Sequence, residues 1–134
     1  MPTLTVKLAP LPSEPVQQRL AEALTALTVD TLGKREAVTA VVFEPVSAAQ
    51  WWIGGRRVQK ATAMLEIRIT AGTNTAEQKA RFIEAADAVL QRHLAPHAAL
   101  AEASYIVVHE LPGTDWGYDG VTQRERQLAR VPSL

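Results

Sequence analysis

The sequence predicts an α/β (α+β) protein in which two tandem β-α-β units form one four-stranded sheet with two helices on one face. Three observations predict it. A short stretch alternating polar and apolar residues precedes a long stretch with apolar residues at helical spacing. A β-branched run follows each such pair. The whole order then occurs a second time, at a period of roughly sixty residues, outside the short periods of solenoids.

Composition agrees with that class. A chain of 134 residues suits one compact unit rather than two independent domains. Hydrophobic residues make up 47% and aromatics only 5%, so the core is built mostly of Ala, Val and Leu, as in helix-on-sheet packing. Fourteen Lys+Arg balance fourteen Asp+Glu, which is not the electrostatic footprint of a nucleic-acid binder. With no Cys, disulfides, thiolate nucleophiles and cysteine zinc sites are excluded. The opening Met1-Pro2-Thr3-Leu4 lacks a basic stretch followed by an apolar core, and no apolar run approaches a membrane-spanning length. The expectation is a cytoplasmic protein with neither nucleic acid nor membrane as partner.

In the first unit, Thr3 to Leu8 alternate, with Leu4, Val6 and Leu8 on one side and Thr3, Thr5 and Lys7 on the other. Pro10 and Pro12 interrupt this strand, Ser13 is a helix N-cap, and Pro15 falls in the first turn, where it is tolerated. Val16, Leu20, Leu24, Leu27 and Thr31 mark the apolar helix face, and Gly33 stops the helix. Val38 to Phe43 reads as the returning strand, ending at Glu44-Pro45.

The second unit repeats the plan. Met64 to Ile69 alternates; Thr75-Ala76-Glu77-Gln78 fits a capping box; and Phe82, Ala86, Val89 and Leu90 supply the buried face of a helix reaching about Leu94. Pro96 blocks continuation, and Tyr105 to Val108 returns as a strand ending at His109-Glu110. The closing segments match as well: Trp51-Trp52-Ile53-Gly54-Gly55 parallels Trp116-Gly117-Tyr118-Asp119-Gly120. The chain therefore reads as a single domain, 1–134, with repeats at 2–55 and 63–120. A linker covers Arg56 to Ala63, and 121–134 form a polar, Arg-bearing tail. A crossover helix makes each strand pair parallel and right-handed. With both helices on one face, the other face needs a cover, and the apolar returning strands point to an oligomer.

Serine-nucleophile, P-loop and dinucleotide fingerprints are absent. His93 and His97 are four apart, but Pro96 intervenes and no third ligand is at hand, so no metal is expected, and nothing requires an organic cofactor. His109 reads as an edge-of-sheet hydrogen-bonding group. Pro2 is different. Removing Met1 would leave a secondary amine at the start of a buried strand, and desolvation or nearby cations would keep that amine neutral enough to act as a base.

Pro2 opening a β-α-β unit that ends in Trp51-Trp52-Ile53-Gly54-Gly55 resembles the 4-oxalocrotonate tautomerase family. Because the unit occurs twice, the chain resembles a fused, double-length member of that superfamily, with the tautomerase/MIF-like, trimeric fold. The second half, with Ala76-Glu77-Gln78-Lys79 and Asp115-Trp116-Gly117-Tyr118, is also similar to malonate semialdehyde decarboxylase. The resemblance implies a homotrimer acting on a small-molecule carboxylate, with Pro2 as the catalytic base and Trp51, Trp116 and Tyr118 as aromatic pocket walls.

The departures redirect the search for binding groups. The family's carboxylate-binding arginines fall here on Pro12 and Thr39 in the first half, and on Asn74 and Tyr105 in the second. The decarboxylase's paired arginines are replaced by Gly72 and Asn74, and its aspartate has only Glu36 nearby. Tyr105 and Asn74 are then neutral hydrogen-bonding substitutes, while Lys7 and Arg68, ahead of Arg56 and Arg57, are the candidate replacement cations. The leading expectation is enol–keto isomerisation of a small 2-oxo or 2-hydroxydienoic acid. The alternatives are a hydratase, decarboxylase or dehalogenase of the same superfamily, and a trimeric binding protein that kept the fold and lost the activity.

Overall fold

The computed structural model describes residues 2–130. Its elements are β1 (Thr3–Ala9), α1 (Glu14–Leu32), β2 (Ala40–Pro45), β3 (Trp52–Ile53), β4 (Arg56–Arg57), β5 (Thr62–Thr70), α2 (Ala76–Leu94), β6 (Ile106–Leu111), β7 (Gly117–Tyr118), β8 (Val121–Thr122) and α3 (Gln123–Arg130). The main sheet has the order β2-β1-β5-β6. Within each unit the two strands are parallel, as a crossover helix demands, and the units join antiparallel through β1 and β5. Thr3 pairs with Ala40 on one side and Arg68 on the other, and Arg68 pairs with His109.

The period-two alternation decides which side is core. Leu4, Val6 and Leu8 of β1 and Leu65, Ile67 and Ile69 of β5 are fully buried against Leu20 and Leu24 of α1 and Phe82, Ala86 and Leu90 of α2. On the opposite face, which was expected to be covered in an oligomer, Val42 of β2 is 53% exposed in the single chain. Helices pack on one side only, so burial of both faces is not achieved within one chain.

Several boundaries differ from the sequence expectation. The most buried stripe of α1 is Leu20, Leu24, Thr28 and Leu32, not the line running through Leu27 and Thr31. Thr28 enters the core because its hydroxyl donates to the Leu24 carbonyl, 2.7 Å away, leaving only a methyl to pack. Ser13 holds the N-cap position without a side-chain cap bond, while Gly33 stops the helix with φ 68° as expected. The returning strand begins at Ala40, since Glu36–Val38 forms a short 3-10 turn held by the Thr39 hydroxyl on the Arg35 carbonyl (2.7 Å). In the second unit the strand runs to Leu111, and His109 lies inside it rather than at its end. Thr75 and Gln78 form the predicted capping box.

The expected linker and the described part of the expected tail, 121–130, are both structured. Arg56–Arg57 pairs back onto Trp52–Ile53, and Val121–Thr122 onto Gly117–Tyr118. The two hairpins match in detail. Trp51 and Trp116 each accept at 3.0 Å, from Val58 and Gln123 respectively. Both turns place two consecutive residues at positive φ, Gly54-Gly55 and Asp119-Gly120, the conformation that closes a two-residue hairpin. Gly117 is required by close approach, because a Cβ there would lie 2.1 Å from the Val121 carbonyl oxygen. Beyond the second hairpin the polar tail turns into α3, which buries Gln123. The rest of the tail, 131–134, lies outside the described residues.

Candidate active site

The register places the N-terminus of β1, the N-terminus of β2 and the C-termini of β5 and β6 at one end of the sheet. Pro2, immediately before the Thr3–Arg68 pair, is buried there, and its carbonyl accepts from the Ala40 amide at 3.2 Å. Because α1 returns to β2 and α2 leaves β5, the C-terminus of α1 and the N-terminus of α2 meet at this end too. The β7–β8 hairpin and α3, which follow β6, complete it.

Trp116 and Tyr118 are therefore at the proline's end. Arg126 stacks on the Tyr118 ring, 3.8 Å from its centroid, and donates to the Tyr118 carbonyl at 2.9 Å. Arg35 reaches the Tyr118 hydroxyl from the other side at 3.5 Å. The Trp116 indole N–H is buried without a partner among the described residues. Asn74 also lies here, but its side-chain N–H groups are used, donating to the Leu32 carbonyl (2.9 Å) and to Gln78 (3.1 Å). That ties the end of α1 to the start of α2, so both side-chain N–H groups of Asn74 are engaged within the chain.

The remaining expected residues are not gathered around Pro2 within one chain. Arg68 is at the right end but on the open face of the sheet, beside Glu66 at 3.6 Å. His109 approaches the same carboxylate at 3.4 Å without the geometry of a hydrogen bond. Lys7, on that same face, pairs in register with Glu44 and Met64, towards the far end. Trp51 and Tyr105 sit at the far end as well, because β2 finishes and β6 begins there; Tyr105 is 62% exposed and lines a cavity with Arg56 and Arg57.

The cations that sequence reasoning missed follow the α1 stop: Lys34 and Arg35, directly after Gly33. The signal was present, since basic residues just past a helix C-terminus face its unpaired carbonyls. Lys34 is half-buried and donates to the Thr73 hydroxyl at 2.8 Å. Burial draws its pKa down, partly offset by the charge of Glu110.

Glu110 itself is held below the usual carboxylate range, first by the hydrogen bond from Lys79 and then by the Gly72 amide at 3.3 Å. With the folded value depressed, its contribution to stability is present above the ordinary carboxylate range and is lost as pH falls through the folded value. Glu110→Gln is expected to cost less than about 1 kcal/mol at neutral pH, as for a pair open to solvent. In urea unfolding followed from neutral to acid pH, its gap to the wild type should close as Glu110 protonates; a gap that persists in acid would show that the carboxylate charge is not what holds this corner.

Among the described residues there is no group of three or more His, Cys, Asp or Glu that could hold a metal, and no helix long and apolar enough to cross a membrane.

Comparison with known proteins defines the class first. A structure described as "F6 fused 4-OT wild type asymmetric trimer" superposes with a TM-score of 0.81 at 24% identity, covering 92% of this chain and 98% of that one. "Native Fused 4-OT" gives 0.76 at 26% identity over 92% and 97%. N1, a member of the cis-3-chloroacrylic acid dehalogenase family, gives 0.79 at 23% identity over 97% and 92%. The fold is that of the fused tautomerases. By sequence, the family described as "Putative oxalocrotonate tautomerase enzyme" matches residues 1–127, and the chain belongs to that family. A 42-residue stretch is 43% identical to "Probable tautomerase K2" of Dickeya dadantii (strain 3937), spanning 31% of this chain and 63% of that protein, less than two thirds of its length.

Proposed function

We propose that the protein is a tautomerase whose base is the amine of Pro2 once Met1 has been removed. Family membership and the buried position of Pro2 at the sheet end that also carries Tyr118, Lys34 and Arg35 support this reading. Burial disfavours the charged form of an amine, which is the physical ground for assigning the base to Pro2. It takes the O–H proton of a 2-hydroxydienoic acid, the C–O bond becomes a carbonyl, the double bonds shift, and the resulting ammonium returns the proton to carbon. Negative charge grows on the oxygen side of the substrate, which the cations at this end oppose.

The same reading includes a homotrimer. The fused relatives in the first two superpositions named above fold alike, one of them described as a trimer, and one sheet face of this chain is left without a helix over it, with Val42 exposed there. Trp51 and Tyr105, at the far end of their own sheet, reach a Pro2 only by crossing to a neighbouring subunit. Intact-mass measurement tests the first requirement: loss of one Met is expected. Light scattering should return three times the chain mass, and the processed protein should speed ketonisation of a small 2-hydroxydienoate. A retained Met1 in active protein, or a processed trimer with no such turnover, would overturn the assignment, the latter in favour of a binding protein.

A further inference from the structure

Lys34 and Arg35 open onto a cavity of about 380 Å³ that also involves Leu32, Thr73, Gln123 and Arg130. Three of its nine lining residues, Lys34, Arg35 and Arg130, are cationic. Among the described residues none of the three forms an ion pair, and the nearby Glu110 carboxylate is engaged by Lys79 and the Gly72 amide. Lys34 has one partner, the neutral Thr73 hydroxyl. Gln123 is only 4% exposed and lines the cavity. Half-buried ammonium groups carry a desolvation cost that an anion removes. Guanidinium and ammonium donors lining one cavity suit a carboxylate.

We propose that this cavity binds the carboxylate of a small organic acid, with Lys34 and Arg35 pairing its charge and the Gln123 amide donating a hydrogen bond. This deepens the tautomerase reading, on which its catalytic consequence rests: the cavity shares the sheet end of Pro2 and supplies the cations absent from Pro12, Thr39, Asn74 and Tyr105. The second cationic cavity, lined by Arg56, Arg57, Lys60 and Tyr105, has no buried polar side chain among its lining residues and provides the control.

Oxalate, a planar acid with no proton to shuttle, reads binding without turnover. Calorimetric titration of the full chain is expected to show oxalate binding that Lys34→Gln and Arg35→Gln each weaken at least about tenfold, the loss of a charge-assisted hydrogen bond. Lys34→Arg should restore affinity to within about threefold, since the charge and donors are kept. Lys60→Gln should bind as wild type. Circular dichroism and thermal melts establish that each variant is folded. Unchanged affinity in both Gln variants, an equal loss in Lys60→Gln, or a wild type that does not bind oxalate would each overturn the proposal. In the tautomerase assay the Lys34→Gln loss should fall on KM more than on kcat. Should Pro2→Ala retain full turnover, the tautomerase reading falls, while the titration still judges the cavity.

Discussion

Pro2→Ala is expected to lower enol–keto conversion by about 10²–10⁴-fold, the usual worth of a positioned acid–base group. The substitution keeps the carbonyl that accepts from the Ala40 amide, so the β1–β2 register and the assembly should survive. The loss should therefore appear in kcat at unchanged light-scattering mass. In the wild type, the acid limb of the kcat/KM profile should report the amine, and it should vanish in a form whose added N-terminal residues keep the Pro2 nitrogen in an amide bond. Equal rates in wild type and Pro2→Ala, or full activity in the extended form, would remove proline as the base. Borohydride reduction offers a separate view: a trapped imine with a 2-oxo acid would assign Pro2 as a nucleophile and shift the chemistry away from proton transfer.

Phe82→Ala carries the largest expected cost in stability. Phe82 is fully buried on α2, within the cluster that joins both helices to β1 and β5. Removing a buried phenyl ring costs about 3–5 kcal/mol through lost transfer energy and the cavity left behind. Against a typical total of about 5–15 kcal/mol, that is a large share, so the urea midpoint should drop sharply while the slope stays constant. A loss below about 1 kcal/mol would mean the core closes around the gap and that Phe82 does not hold the two units together. Because the cluster spans both repeats, the transition should stay cooperative, with no separate unfolding of one β-α-β unit.

Most of the architecture is legible in local chemistry. Alternation in Thr3–Leu8 and Met64–Ile69 identifies the central strands and their core-facing sides, because the pleat has a period of two wherever one face is buried. Gly33, Thr75 and Gln78 mark helix ends through backbone groups that need a positive φ or a side-chain partner. Trp51 and Trp116 match across the two halves, and the two hairpins that follow them carry the same backbone bond. What pattern misses is order near the edges. The Arg-bearing tail looks like solvent-exposed chain until Gln123 is seen buried, and the 3-10 turn at Glu36–Val38 has β-branched neighbours that read as strand.

The sequence by itself determined the class of fold and singled out Pro2 as the residue to test, because each rests on periodicity, spacing or the identity of a single residue. Only the tertiary structure decided which groups share the proline's end. Asn74 and Tyr105 stand at the two positions of the second half where the family has its arginines, yet Tyr105 is exposed at the far end and Asn74 braces α1 to α2. Lys34 and Arg35 carry no motif and are collected by the return of α1 to β2. Distance along a chain says little about distance across a sheet: the antiparallel joining of β1 to β5 sends one hairpin to each end, and that topology, rather than any local signal, assembles the site.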